Sequence, residues 1–499
     1  MRTTKSLCPE CLAVIDATIF ERNGQVILEK TCSEHGYFND IYWSSAKQWE
    51  RFDRFWHDGI GLSNPNVKSD GNCPFSCGIC PSHKTTTILA NIDVTNRCNM
   101  SCPVCFANSS TSGYLYEPSL SQIREMMNML RNERPVPCPA VQLAGGEPTM
   151  REDVVEIVKM AKDFNFTQIQ MATNGIKLSQ SLKLCQDLNA AGLHTIYLQF
   201  DGVTDEPYRI TRGYSALHQK LKAIENCRAS GLNSVSLVPT LAKGVNDYQV
   251  GDIIRFAVKN VDTVKGINFQ PISFTGRVNK KERFEKRITI PYLFKLIEEQ
   301  TGGEITGNDF YPVPFVVPIS HFVAVEEGLP NVEFTVHPHC GTGTYIYIEK
   351  DRMIPITRFI DVEGLLEHID ELALNGNKWI DRSLGIGKIK MIGNLISALP
   401  KFVDTSKAPK SIDVKQLFIN VLKEGTGEAT KEFHRHTLFI GAMHFMDLYN
   451  IDLERIKRCG VHYATPDGRI IPFCTYNTIH RAEVEAKFSI PLLKVRARS

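Results

Sequence analysis

The segment NIDVTNRCNMSCPVCFAN, residues 91–108, joins an apolar run to a loop that carries Cys98, Cys102 and Cys105. Its first half belongs to the strand-like run ILANIDVT (88–95). Five similar runs follow: AVQLAGG (140–146), TQIQMATNG (167–175), TIYLQFDG (195–202), SVSLVPT (234–240) and GINFQPI (266–272). Between them lie segments of helical period, such as SLSQIREMMNMLRNE (119–133) and EDVVEIVKMAKDF (152–164). Apolar strands alternating with amphipathic helices specify a parallel sheet covered by helices. The pattern predicts an α/β fold, a partial (β/α)6 TIM-type barrel over residues 88–305. Polar residues and glycines collect at the C-terminal ends of the strands, where barrels of this kind place their chemistry. The cysteine loop follows the first of those ends.

Working outward, 499 residues exceed what one core usually holds, so flanking units are expected. Residues 1–70 read as a small metal-binding module: CPECLAVIDATIFERNGQVILEKTCSEHG has two β-type runs around Asn23-Gly24, a hairpin signal. Residues 71–87 form a short cysteine-bearing segment. Residues 306–499 form a C-terminal region with a Pro-rich apolar stretch at 311–330, helices expected at 411–424 and 429–449, and a hairpin, VHYATPDGRIIPFCTYN, turned at Asp467-Gly468. Hydrophobic residues at 42% and charged residues at 22% suit a globular protein. The net charge of +2 argues against a nucleic-acid partner held by a general basic field. Tyr311 to Val325, the longest apolar stretch, is broken by Pro312, Pro314 and Pro318 and is too short to span a bilayer. The N-terminus lacks a hydrophobic signal core, so a cytoplasmic location is expected.

Fifteen cysteines in a chain expected in a reducing compartment point to metal ligands more than to disulfides. Cys73, Cys77 and Cys80 form a C-x3-C-x2-C, and Cys98, Cys102 and Cys105 repeat it. Cys8, Cys11, Cys32 and His35 lie at the open ends of the first hairpin and suit one mononuclear iron or zinc ion. Cys340, Cys459 and Cys474 make a further trio, the last two brought together by the C-terminal hairpin. Cys138, Cys185 and Cys227 stand alone and read as buried small hydrophobes. His337, His339, His434, His436 and His444 could bind a ligand, but read first as core or solvated histidines. Three thiolates on one loop can hold three corners of a [4Fe–4S] cube and leave the fourth iron open to an amino and a carboxylate group, as in S-adenosylmethionine. Structural zinc is the competing reading.

At this point the region resembles the radical S-adenosylmethionine enzymes. Gly145, Gly146, Glu147 and Pro148, on the next strand, look like that family's GGEP motif, which contacts the methionine amino group. By the same resemblance, Thr173, Asn174, Gln199 and Asp201 at further strand ends contact the carboxylate and ribose, and Phe106 sits against adenine. The resemblance implies reductive cleavage of the sulfonium and hydrogen abstraction by a 5′-deoxyadenosyl radical, with a low-potential donor such as a ferredoxin. No separate catalytic side chain is required. The Cys73 and Cys340 trios resemble auxiliary [4Fe–4S] sites of the superfamily, one or two in number, with His83 a weak candidate for a fourth ligand.

Along essentially the whole chain, the combination CPECL…TCSEHG, CPFSCGICPSHK, GGEPTMRED and HYATPDGRIIPFCTYN resembles the archaeal tetraether lipid synthases. These join terminal methyl carbons of isoprenoid tails of archaeol-type diethers. Proteins described as methyltransferases of 7,8-dihydro-6-hydroxymethylpterin overlap with them in sequence. The lipid reading expects a long apolar tunnel, with FVVPISHFVAV (315–325) and LFIGAMHFM (438–446) as candidate linings, and peripheral membrane contact through the basic run KKERFEKR (280–287). The pterin reading expects buried carboxylates or amides facing a flat ring. A non-enzymatic multi-cluster electron carrier is the third alternative.

Overall fold

The computed structural model describes residues 2–68, 71–109, 113–350, 352–379, 386–411, 414 and 435–491. The N-terminal segment is a four-stranded antiparallel meander, β1 (Arg2–Leu7), β2 (Val14–Arg22), β3 (Gln25–Cys32) and β4 (Gly36–Trp43). Its β2–β3 turn uses Asn23 and Gly24 at φ of 53° and 77°, the left-handed pair that a tight hairpin twisting with its strands requires. Phe52, in the helix Ala46–Asp53, packs between Trp43 and Phe294 and seats this meander on the rest of the molecule.

Six parallel strands then pair in sequence order: β5 (Leu89–Thr95), β6 (Ala140–Gly145), β7 (Gln168–Thr173), β8 (Thr195–Gln199), β9 (Val235–Val238) and β10 (Val264–Pro271). Each agrees with its predicted run to within a few residues. Alternation sorts their side chains. Ile92, Leu143, Met171, Leu198, Leu237 and Ile267 are buried in the core beneath the helices. Asn91, Gln142, Gln170, Tyr197 and Asn268, from the same strands, point into the barrel and line its cavity.

The C-terminal region completes this sheet. β11 (Gly341–Glu349) and β12 (Thr437–Met443) pair antiparallel, and β12 runs parallel to β10. β13 (Val461–Ala464) runs parallel to β5 and turns through Asp467-Gly468 into β14 (Ile470–Pro472). The order is β11-β12-β10-β9-β8-β7-β6-β5-β13-β14.

The helix expected at 429–449 is corrected here: LFIGAMHFM lies mostly in β12. A short apolar run has no period that separates strand from helix, and the edges of β10 and β11 decide for strand. The helix expected at 411–424 falls almost wholly outside the described residues, as does His434. FVVPISHFVAV runs from a 3-10 turn into the helix Val317–Glu327, whose Pro318 sits in the first turn, where its missing N–H costs nothing. No helix among the described residues is long and apolar enough to cross a membrane.

Candidate active site and metal centres

A cavity of about 390 Å³ opens at the C-terminal ends of the barrel strands. Cys98, Cys102, Cys105, Phe106, Gly145, Gly146, Glu147, Thr173, Asn174 and Gln199 all border it. Arg277, beyond β10, pins the cysteine loop: its backbone N–H donates to the Cys105 carbonyl at 2.9 Å and its Nε to the Cys102 carbonyl at 2.6 Å. Burial pushes the Cys98 thiol up to about 12, with Glu147 and the two neighbouring thiols adding to the shift. Burial raises Cys102 as well, against the pull of Arg212. Buried thiols of this kind become thiolates when a metal supplies the positive charge. The loop therefore fits a soft metal cluster.

The glycines before Glu147 are required by the cysteine loop itself. A Cβ on Gly145, at φ 129°, would lie 2.2 Å from the Thr95 carbonyl oxygen, and one on Gly146 would lie 2.3 Å from that of Arg97. Gly146 and Glu147 donate backbone hydrogen bonds to those same two carbonyls. The Glu147 carboxylate is fully buried and ties β6 to β7. Oε1 accepts from the Thr149 N–H at 3.1 Å, the Thr149 hydroxyl at 2.6 Å and the Thr173 hydroxyl at 2.8 Å; Oε2 accepts from the Asn174 N–H at 2.7 Å. Asn174 Nδ2 in turn donates to Asn99 Oδ1, inside the cysteine loop, at 2.7 Å. Pro148 opens the short turn Pro148–Met150 and is buried behind the wall.

Asp201 departs from its expected part in the ribose contact. It is fully buried and forms a bidentate pair with Arg212, at 2.6 and 2.9 Å, while also accepting from the Thr240 N–H at 3.0 Å. Arg212 reaches the cavity in its place and donates to the Val104 carbonyl at 3.1 Å. Gln199 does line the cavity; its Oε1 accepts from the buried Lys220, whose ammonium burial lowers to about 8 against the pull of Asp201.

Sequence reasoning missed the floor of the cavity. Asn91, Gln142 and Gln170 stand in one register row across β5, β6 and β7. Gln170 Nε2 donates to Gln142 Oε1 at 2.8 Å, and Gln142 Nε2 donates to Asn91 Oδ1 at 2.6 Å. On the opposite arc, Asn268 and Gln270 both donate to the Tyr197 hydroxyl. The signal was legible: each of three apolar strands carries one amide at the matching position. The outer wall is apolar, with Val104, Ile272, Val278, Phe445, Met446 and Phe473.

Among the described residues, Cys8, Cys11, Cys32 and His35 are the one group of three or more such ligands drawn within 4.8 Å of one another. Cys11 and Cys32 Sγ are 3.8 Å apart, and His35 Nδ1 lies 3.8 Å from Cys8 Sγ and 3.6 Å from Cys32 Sγ. A tetrahedral ion with bonds of about 2.3 Å sets its ligands about 3.8 Å apart. The hydrogen bond from His35 lowers the Cys32 thiol to about 6.

Cys73, Cys77 and Cys80 share one loop, and burial pushes Cys77 up to about 12, with Cys73 next in effect. The Thr475 hydroxyl, beside Cys474, donates to Cys77 Sγ at 3.8 Å. Cys459, before β13, and Cys474, after β14, lie at the same end of their hairpin, and Cys474 and Cys340 both add to the upward shift that burial imposes on Cys459. His83 is not aimed at the Cys73 loop: its Nε2 lies 2.7 Å from the Cys459 carbonyl and 3.3 Å from His462 Nε2. The basic run at 280–287 is divided. Arg283 and Arg287 turn inward to Asp40, each at 2.8 Å, and Arg287 reaches Asp447 at 3.0 Å. These two belong to a buried ion network, while Lys280 and Lys281 are exposed.

The Radical SAM superfamily model matches residues 92–257, and the HMPTM N-terminal zinc ribbon domain matches residues 1–44. The chain is 54% identical over 498 residues to the 7,8-dihydro-6-hydroxymethylpterin dimethyltransferase of Methanocaldococcus jannaschii, covering 98% of this chain and 96% of that one. It is 30% identical over 175 residues to a probable GTP 3',8-cyclase of Methanothermobacter marburgensis, covering 35% of this chain and 55% of the relative. Among solved structures, Streptococcus suis SuiB aligns at 15% identity with a TM-score of 0.36, covering 44% of this chain and 46% of that chain. The superfamily implies S-adenosyl-L-methionine and a [4Fe–4S] cluster, and the protein is an enzyme, which sets aside the non-catalytic electron carrier. With near full-length identity to one of its members and a barrel built around the cysteine loop, the chain belongs to the radical SAM superfamily, in the family of the M. jannaschii enzyme.

Proposed function

We propose that this radical SAM enzyme methylates a reduced pterin of the 7,8-dihydro-6-hydroxymethylpterin class. The observation that carries the reading is the amide floor, Asn91–Gln142–Gln170 on one arc and Tyr197 with Asn268 and Gln270 on the other. A pterin edge alternates hydrogen-bond donors and acceptors in one plane, and planar amides fixed by their neighbours are matched to such an edge. A volume of about 390 Å³ lies near the lower end of the roughly 300–1,000 Å³ of small-molecule sites. The 54% identical relative named for this substrate supports the same choice.

In this reading Cys98, Cys102 and Cys105 hold the radical cluster, and the strand-end residues Gly145, Gly146, Glu147, Thr173, Asn174 and Gln199, with Phe106, shape the nucleotide's seat. When bound, the reduced cluster and one nucleotide would supply a carbon radical able to break an unactivated C–H bond, and a separate one-carbon donor, in the simplest case a second S-adenosylmethionine that leaves as S-adenosylhomocysteine, would donate the methyl group. The chain's own part is positional: Glu147 and Arg277 fix the loop, Arg212 presents a permanent cation, and the amide floor orients the ring. Phe445, Phe473 and Ile272 exclude water. Cys73, Cys77 and Cys80, and separately Cys340, Cys459 and Cys474, hold auxiliary [4Fe–4S] clusters, and Cys8, Cys11, Cys32 and His35 hold one zinc or iron ion. A low-potential ferredoxin-type donor supplies electrons.

A second reading, carbon–carbon coupling of archaeol-type isoprenoid tails, is favoured by the apolar outer wall at Val104, Ile272, Val278 and Met446. Its membrane patch is reduced to lysines, because Arg283 and Arg287 are buried in ion pairs. The test incubates anaerobically reconstituted, reduced enzyme and S-adenosylmethionine with 7,8-dihydro-6-hydroxymethylpterin or with archaeol-type lipid, followed by mass spectrometry. A pterin heavier by one or two methylene units supports the proposal. Coupled lipid with unchanged pterin overturns it.

A further inference from the structure

We propose that His444 is the fourth protein ligand of the iron–sulfur cluster at Cys340, Cys459 and Cys474, an inference that rests on the auxiliary-cluster reading above. Cys340 immediately precedes β11 and His444 immediately follows β12. In that antiparallel pair Gly341 faces Met443, so Cys340 and His444 are the next residues opposite one another. The His444 N–H donates to the Cys340 carbonyl at 2.9 Å and extends the ladder to them. Residues directly opposed across antiparallel strands send their side chains to one face, with Cβ atoms about 4.5–5.5 Å apart. The imidazole and the Cys340 thiol therefore share a face of the sheet.

The imidazole is 2% exposed, and neither Nδ1 nor Nε2 has a hydrogen-bond partner. Among the described residues no other histidine is buried with both ring nitrogens unsatisfied. Other buried histidines differ: His337 Nε2 lies 3.3 Å from Arg2, His339 Nε2 lies 3.1 Å from the Trp49 carbonyl, and His83 and His462 face each other. A buried polar ring without partners has given up its hydration with nothing in return, and a bond to iron removes that deficit. No spare thiol competes for the place, since Cys138, Cys185 and Cys227 are packed in the barrel core.

The charge around the site agrees. Arg455 is buried, with Nε 3.3 Å from Cys340 Sγ, Nη2 donating to the His444 carbonyl at 2.8 Å, and Nη1 without a partner. With a [4Fe–4S] core of charge +2, three thiolates and a neutral imidazole leave one net negative charge, which this guanidinium balances.

The experiment uses the full chain, reconstituted and reduced without S-adenosylmethionine, prepared with natural or 15N-labelled histidine and examined by pulsed EPR at the field positions of the reduced clusters. A strong histidine-nitrogen coupling that changes isotope with the label, disappears in His444→Ala and is absent in an iron-replete His444→Cys variant is the expected result. The all-thiolate site of His444→Cys should also show a lower midpoint potential. Absence of the coupling in the unmodified chain, or its survival in both variants, overturns the assignment, and the isotope comparison needs no substitution to fold. Iron content of a Cys340→Ala/Cys459→Ala/Cys474→Ala chain separates the two levels: no loss of iron relative to the unmodified protein sinks the cluster itself, whereas loss of iron with no nitrogen coupling sinks only the histidine.

Discussion

Replacing Asp201 with Asn separates a support from a ligand. Asp201 is fully buried, accepts two charge-assisted bonds from Arg212 at 2.6 and 2.9 Å and a third from the Thr240 N–H at 3.0 Å. Asparagine keeps the shape but removes the charge, and one of its termini becomes a donor facing the guanidinium. Breaking one side of such a buried pair costs about 3–5 kcal/mol, because the other charge stays in place without compensation. For a barrel of this size about 1 kcal/mol moves Tm by roughly 2–4 °C, so Asp201→Asn should lower Tm by about 6–20 °C. Arg212 also donates to the Val104 carbonyl between two of the cluster cysteines, so iron bound at Cys98, Cys102 and Cys105 should fall in parallel. The assay is thermal unfolding of the reconstituted protein together with iron analysis. An Asp201→Asn/Arg212→Met chain, with both charges gone, should recover part of the lost stability. A variant that keeps its Tm and iron but binds S-adenosylmethionine weakly would refute this reasoning and return Asp201 to direct ribose contact.

Gly146→Ala places a methyl group 2.3 Å from the Arg97 carbonyl oxygen and 2.7 Å from that of Asn96, so it should displace the cysteine loop; iron analysis and 5′-deoxyadenosine formation should both decline, and an unaffected variant would count against the packing role. Gln142→Leu removes bonds of 2.6 and 2.8 Å from the centre of the amide floor; at about 1.4–2.7 kcal/mol it should raise KM for the pterin roughly 10–100-fold with iron content unchanged. Glu133 accepts from the Thr87 hydroxyl at 2.6 Å, and burial pushes its carboxyl up to about 8. The folded state therefore holds the proton more tightly than the unfolded chain, where the value is about 4.3. The stability this gives is complete below that value and is lost as pH rises through about 8. Urea unfolding across this window should show a decline that Glu133→Gln flattens.

How much the sequence discloses depends on whether the deciding interaction is local. The six barrel strands and the cysteine loop were legible because alternation, spacing and turn residues act over a few positions. Strand β12 was not: LFIGAM is apolar without a decisive period, and its pairing partners β10 and β11 lie about 100 or more residues away in sequence. KKERFEKR reads as one basic surface for membrane contact until Asp40 and Asp447 draw two of its five basic residues, Arg283 and Arg287, inside. Asp201 was found as a strand-end carboxylate, but its partner eleven residues on takes both of its oxygens. The amide floor was present in the letters, as Asn91, Gln142 and Gln170, yet strands judged by overall apolarity conceal the polar residues of their inward faces.

The sheet order gives a reason for the long C-terminal region. β5 is an interior strand: the Cys98 loop leaves its C-terminal end, β6 flanks one side and β13 the other. The hairpin formed by β13 and β14 carries Cys459 and Cys474 at one end, and Cys474 borders the same cavity as Cys98, Cys102 and Cys105. On the far side of that hairpin end, Thr475 touches Cys77 of the upstream loop. A six-stranded barrel alone would leave the edges of β5 and β10 open beside the site. Parallel strands reach low energy only when their edges and faces are covered, and here the cover itself brings thiols. Covering both edges of the barrel and bringing Cys474 to the cavity are thus one structural act, so a truncation before β12 should expose the barrel edges and remove that thiol together.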